Sequence, residues 1–181
     1  SGLTTKEVPN DARDSTFDDY LVDWISNKTS PYQCSTLFRT DTAREMGLKS
    51  RHFLFDDVMA HFKIAAKYGA LNVREIKASF RLHPGELTAQ AKIREWSEES
   101  MDLLELMCEL SPNLAPFIRK QGLQFLAVGN YRRALRLPRR ARLAGCLTVL
   151  RTHHYTLPPK NMLTNAVDRR VRSLIQRLLP S

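Results

Sequence analysis

Six arginines, Arg132, Arg133, Arg136, Arg139, Arg140 and Arg142, fall within eleven consecutive positions of the run "YRRALRLPRRARLAG", which holds no lysine, aspartate or glutamate. A guanidinium stays charged at any physiological pH and presents a rigid planar fork of N–H donors. That fork engages phosphate oxygens two at a time, and its face stacks on exposed bases. The chemistry these residues suit is anion recognition, phosphate above all. Pro138 sits among them and marks a helix start. Arg139 and Arg140 then occupy a first turn where the positive end of the macrodipole disfavours cations. Local stability would prefer acids there, so their placement points to a partner. Tyr131, His153, His154 and Tyr155 flank the run and add rings able to stack on unpaired bases.

Two further cationic groups follow from helical spacing. A helix expected over residues 161–179 gathers Leu163, Val167, Val171, Leu174 and Leu178 on one face, with Arg169, Arg170, Arg172 and Arg177 over the rest. Upstream, Arg74, Lys77 and Arg81 recur at i, i+3 and i+7, while Val73, Ile76 and Phe80 turn toward a core. The arrangement helix–Gly69–helix is similar to a helix-turn-helix. The position that motif buries is Glu75 here, however, so a helical hairpin with a solvated cationic face is the plainer reading.

Catalytic constellations find little support. His52, His61, His83, His153 and His154 include no pair four apart around a carboxylate, so no zinc site is expected. Asp57 with Glu75-Ile76-Lys77 matches the D…ExK pattern of one nuclease class, but both parts fall on expected helices and the proline before the aspartate is missing. There is no GxSxG, GxGxxG or GxxxxGK[ST]. Cys34, Cys108 and Cys146 are odd in number and far apart, which suits buried thiols in a reducing compartment. No enzyme activity, metal or cofactor is expected.

Charge divides the chain. Residues 1–110 carry 14 Lys and Arg against 18 Asp and Glu, a net −4, whereas residues 111–181 carry 14 against one, a net +13. Twelve of those later cations are arginine, Lys120 and Lys160 being the exceptions, and the one acid is Asp168. An internal pairing of the two parts leaves a positive surplus for something else.

The elements that must position these side chains are helices. Phe17, Tyr20, Leu21, Trp24 and Ile25 form an apolar stripe, with Asp14 or Ser15 as the expected N-cap. Residues 50–68 form a second helix with Phe55, Met59, Phe62 and Ala66 in line and Gly69 closing it. Residues 86–110 read as one long helix or two split near Ser97, and Ser111-Pro112 opens another. "LQFLAVGN" is the one segment able to form a strand. The expected fold is mainly α: a single compact multi-helix domain with an arginine-rich helical C-terminal third. A polar arm covers 1–14, a helical core 15–130, and a basic segment packed on it 131–181.

The composition points first to a non-enzymatic nucleic-acid-binding protein, RNA ahead of DNA, largely independent of sequence and able to self-assemble. The other expectations are a helical interaction module meeting an acidic protein surface, its own acidic half included, and peripheral association with an anionic membrane. No secretory segment is visible, and the arginine run resembles an import signal, so an intracellular place, nucleus or cytoplasm, is expected.

Overall fold

The computed structural model describes residues 14–29, 36–46, 54–71 and 90–159. Its elements are β1 (Asp14–Ser15), α1 (Phe17–Ile25), α2 (Thr40–Met46), α3 (Asp56–Tyr68), β2 (Ala70–Leu71), α4 (Ile93–Leu110), the three-residue α5 (Ala115–Phe117), α6 (Leu123–Arg136) and α7 (Arg139–Thr152). A 3-10 turn, Pro112–Leu114, precedes α5, and a π-turn, Ile118–Gly122, joins it to α6. The fold is mainly α, as expected. The chain divides into two compact units, Ser1–Gln90 with Glu105–Pro116, and Ala91–Leu104 with Phe117–Ser181.

In the first unit α1 is built as its spacing predicts. Phe17, Tyr20, Leu21, Trp24 and Ile25 are all buried. Three of those rings meet Phe62 of α3 edge-on, with centroids at 6.0 Å for Phe17, 6.0 Å for Tyr20 and 5.1 Å for Trp24. Edge-to-face packing sets the positive ring edge against the negative face, so it adds to what burial alone supplies. Burial also pushes the Tyr20 hydroxyl pKa up to about 12.

The start of α1 differs from expectation. Thr16 is the cap, accepting the Asp19 N–H at 3.2 Å on its hydroxyl oxygen and donating to Asp19 Oδ2 at 2.7 Å. Asp14 and Ser15 instead pair antiparallel with Leu71 and Ala70. Gly69 ends α3 at φ 78°, a left-handed conformation that suits glycine, and so redirects the chain into β2.

On α3 the buried face is Val58, Met59, His61, Phe62, Ile64 and Ala65, whereas Ala66, placed on the stripe from sequence, is exposed. Glu45 of α2 takes an ion pair from Lys67 and a hydrogen bond from the Tyr68 hydroxyl at 2.7 Å. These partners hold the Glu45 carboxyl below its ordinary pKa and the Lys67 ammonium above its own.

The second unit is organised around the hairpin of α6 and α7. Ala127, Tyr131 and Ala134 recur at i, i+4 and i+7 on α6 and pack with Cys146, Val149 and Leu150 of α7. "LQFLAVGN" is therefore helix, because its apolar residues serve a helical face. α4 runs unbroken through Ser97. At Gly145 a Cβ would come within 2.9 Å of Leu137 Cδ1 and 3.2 Å of Ala134 Cβ. The missing side chain is what lets the two helices approach this closely.

Candidate functional site

The arginine run occupies the corner where α6 turns into α7. Leu137 leaves the helix in an extended conformation, with its N–H on Ala134 O at 3.2 Å, and Pro138 supplies the fixed φ that starts α7. Arg142 Nε donates to Leu137 O at 2.9 Å and ties the first turn of α7 to this connector. Arg142 is half-buried there.

Arg133 is also turned to structural use. Its guanidinium lies 3.7 Å from the centroid of the buried Trp96 ring, and Nη1 donates to Asn130 Oδ1 at 3.4 Å. The other four, Arg132, Arg136, Arg139 and Arg140, are exposed and make no ion pair with any carboxylate among the described residues. Arg132 and Arg136 stand one turn apart on one face of α6, and Arg139 and Arg140 follow across the two-residue connector.

The ends of the two helices treat these charges differently. Arg133 and Arg136 lie in the last turn of α6, where the negative end of the dipole favours them. Arg139 and Arg140 open α7, whose first turn holds no acid. Arg151 lies exposed in its last turn.

Two flanking rings expected to stack on bases cannot do so. Tyr131 is wholly buried and its hydroxyl donates to Thr156 O at 3.0 Å, while burial raises its pKa above the usual tyrosine value. His153 is equally buried. The Asn130 amide nitrogen can only donate, so His153 Nε2 accepts from it at 3.3 Å and Nδ1–H donates to Val149 O at 3.1 Å. This is the neutral imidazole, and burial pulls its pKa down to about 4. The rings left outside are His154 and Tyr155.

Asn130 is the centre of a buried polar cluster that the sequence did not reveal. Its amide nitrogen also reaches Ser100 Oγ at 2.9 Å and Trp96 O at 3.3 Å, and Ser100 Oγ donates to Trp96 O at 2.6 Å. Two amide hydrogens thus face three acceptors, and the cluster ties α4, α6 and the end of α7 in one register.

The remaining expected positions are placed as follows. Arg74, Lys77, Arg81, Arg169, Arg170, Arg172 and Arg177 lie outside the described residues, as do His52, His83 and Cys34. Asp57 accepts its neighbour's N–H, from Val58, at 2.8 Å, and Glu75 with Lys77 is outside the described range. His61 is buried with its ring 4.9 Å from that of Phe38. Among the described residues no three His, Cys, Asp or Glu side chains gather as a metal site would need, and no helix is long and apolar enough to cross a membrane. Comparison with known protein families, curated proteins and solved structures finds no match to this chain.

Proposed function

We propose that the protein binds nucleic acid without catalysis, gripping the phosphate backbone at the α6–α7 corner with little regard to sequence. The observation that carries this reading is the exposure of Arg132, Arg136, Arg139 and Arg140 with no carboxylate partner among the described residues. Their charge is not spent on the described parts of the fold, so it is available to an external anion. Arg142 is partly engaged in holding the connector and Arg133 in packing on Trp96, so these two are secondary contributors. Arg169, Arg170, Arg172 and Arg177 extend the cationic supply in the same region of the sequence, and Arg74, Lys77 and Arg81 add a secondary group of cations earlier in it.

Phosphate contacts release condensed counterions, so binding weakens with salt in proportion to their number. Four contacts give a slope of about −3 for log affinity against log salt. Nuclease-treated protein is titrated into fluorescent RNA and duplex DNA at several KCl concentrations, by anisotropy. Replacing Arg132, Arg136, Arg139 and Arg140 together by glutamine flattens that slope and lowers affinity by more than about tenfold. Affinity indifferent to salt, or unchanged in the variant, refutes the proposal.

A further inference from the structure

The turn that follows α7 has an unusual backbone. His154 and Tyr155 are consecutive and both left-handed, with φ 48° and 60°. Each such non-glycine residue costs about 1–2 kcal/mol, because Cβ crowds the following carbonyl. Conformations of this kind persist where the surroundings over-determine them.

The surroundings here do so from several sides. Tyr155 N–H donates to Leu150 O at 2.8 Å and Thr156 N–H to His153 O at 2.9 Å. From α6, the Tyr131 hydroxyl holds Thr156 O at 3.0 Å and Gln124 Nε2 holds Leu157 O at 3.2 Å. The buried His153 anchors the start of the turn through Val149 and Asn130.

What this fixed turn presents is the Tyr155 side chain, 53% exposed and in no ring contact or hydrogen bond among the described residues. Arg151, also exposed, precedes it by four residues. Arg140 lies eleven residues before Arg151, almost exactly three turns, so both cations share one face of α7 about 16 Å apart. No acid interrupts that helix, whose sequence is RRARLAGCLTVLRT. Cations thus stand at both ends of α7, and an exposed aromatic side chain follows its last turn on a backbone held by hydrogen bonds.

We infer that the nucleic acid these arginines take is single-stranded, with the Tyr155 ring stacking on an unpaired base. The inference rests on the nucleic-acid reading above and narrows it. In a duplex each base face is covered by its neighbours, and an exposed ring finds only sugar and phosphate. In a single strand the base faces are open, and stacking on an aromatic side chain is tolerant of sequence. A backbone ordered before binding leaves less entropy to lose on contact, which is what the clamped turn provides.

The test compares a labelled single-stranded oligoribonucleotide of about 12 nucleotides with a duplex of the same sequence. Tyr155→Ala is expected to weaken single-strand binding by about tenfold and to leave duplex binding unchanged. Tyr155→Phe retains the single-strand affinity, since the ring is kept. Both variants keep Cβ at the left-handed position, and thermal melts check that each remains folded. Equal losses for both strands, or no loss for either, overturn the stacking inference while the arginine reading stands. Protein that binds vesicles of phosphatidylserine and phosphatidylcholine but neither nucleic acid overturns both.

Discussion

His153 makes the stability of the second unit depend on pH in a defined window. In the fold its imidazole is neutral, and burial lowers its pKa to about 4. The unfolded chain returns it to the ordinary value of about 6.5. Between these values the unfolded chain binds a proton that the folded protein refuses, so stability is complete above pH 6.5 and falls as pH drops toward 4. Linkage puts the loss at about 1 kcal/mol near pH 5.5, growing to roughly 2–3 kcal/mol near pH 4.5. The cause is geometric as well as dielectric. A proton on Nε2 would face the Asn130 amide nitrogen, a donor against a donor, and His154 next to it adds a like charge. Urea unfolding followed by tryptophan fluorescence measures this, since Trp24 and Trp96 are both buried. His153→Gln keeps an acceptor for Asn130 but cannot titrate, and the difference between the two pH profiles isolates the imidazole from carboxylates that titrate lower. Profiles that run parallel from pH 7.5 to 4.5 would refute the assignment of a buried neutral histidine.

Two experiments test how the second unit is packed. Gly145→Ala would ordinarily stabilise a helix interior by about 1 kcal/mol. Here the added Cβ meets Ala134 Cβ at 3.2 Å and Leu137 Cδ1 at 2.9 Å, so a net loss of about 1 kcal/mol is expected in urea unfolding, and a gain would contradict the close approach. The contact of Arg133 with Trp96 is tested by a double-mutant cycle with Arg133→Met and Trp96→Leu. A coupling energy of about 1 kcal/mol is expected for a partly desolvated cation–π pair, and zero coupling would show that the stack contributes nothing.

What was legible in the sequence was the part that depends on local period and on composition. Phe17, Tyr20, Leu21, Trp24 and Ile25 declare one helical face, and the burial of all five follows. The cap of α1 was displaced because Asp14 and Ser15 pair with a distant strand, a competition that local residues cannot report. Ala66 fell on the wrong face because the rotation of α3 is set by Phe62 seating among three rings, not by its own apolar count. The arginine-rich corner was legible as charge. Its division into inward and outward members was not. That division depends on how α6 is rotated against α7, which the small pair Ala134 and Gly145 decides, and on Trp96, which lies on another helix. The Asn130 cluster was invisible for the same reason: its members Trp96, Ser100, Asn130 and His153 meet only after three helices have packed.

The first turn of α7 separates a folding role from a binding role. Arg139, Arg140 and Arg142 all oppose the positive end of the dipole, at about 0.3–1 kcal/mol each when exposed. Arg142 offsets this with its bond to Leu137 O, which satisfies a carbonyl at the connector. Arg139 and Arg140 have no such compensation among the described residues. Making these two uncharged should therefore raise the stability of the helix start while removing phosphate contacts. A variant with only Arg139→Gln and Arg140→Gln, assayed for nucleic-acid binding, carries this second readout in its unfolding curve, because it leaves Arg136 at the favoured end of α6. If the arginines were kept for the fold, stability and binding would fall together. If they are kept for an anion, binding falls while stability holds or rises, and the opposite signs exclude a loss of binding that merely reports unfolding.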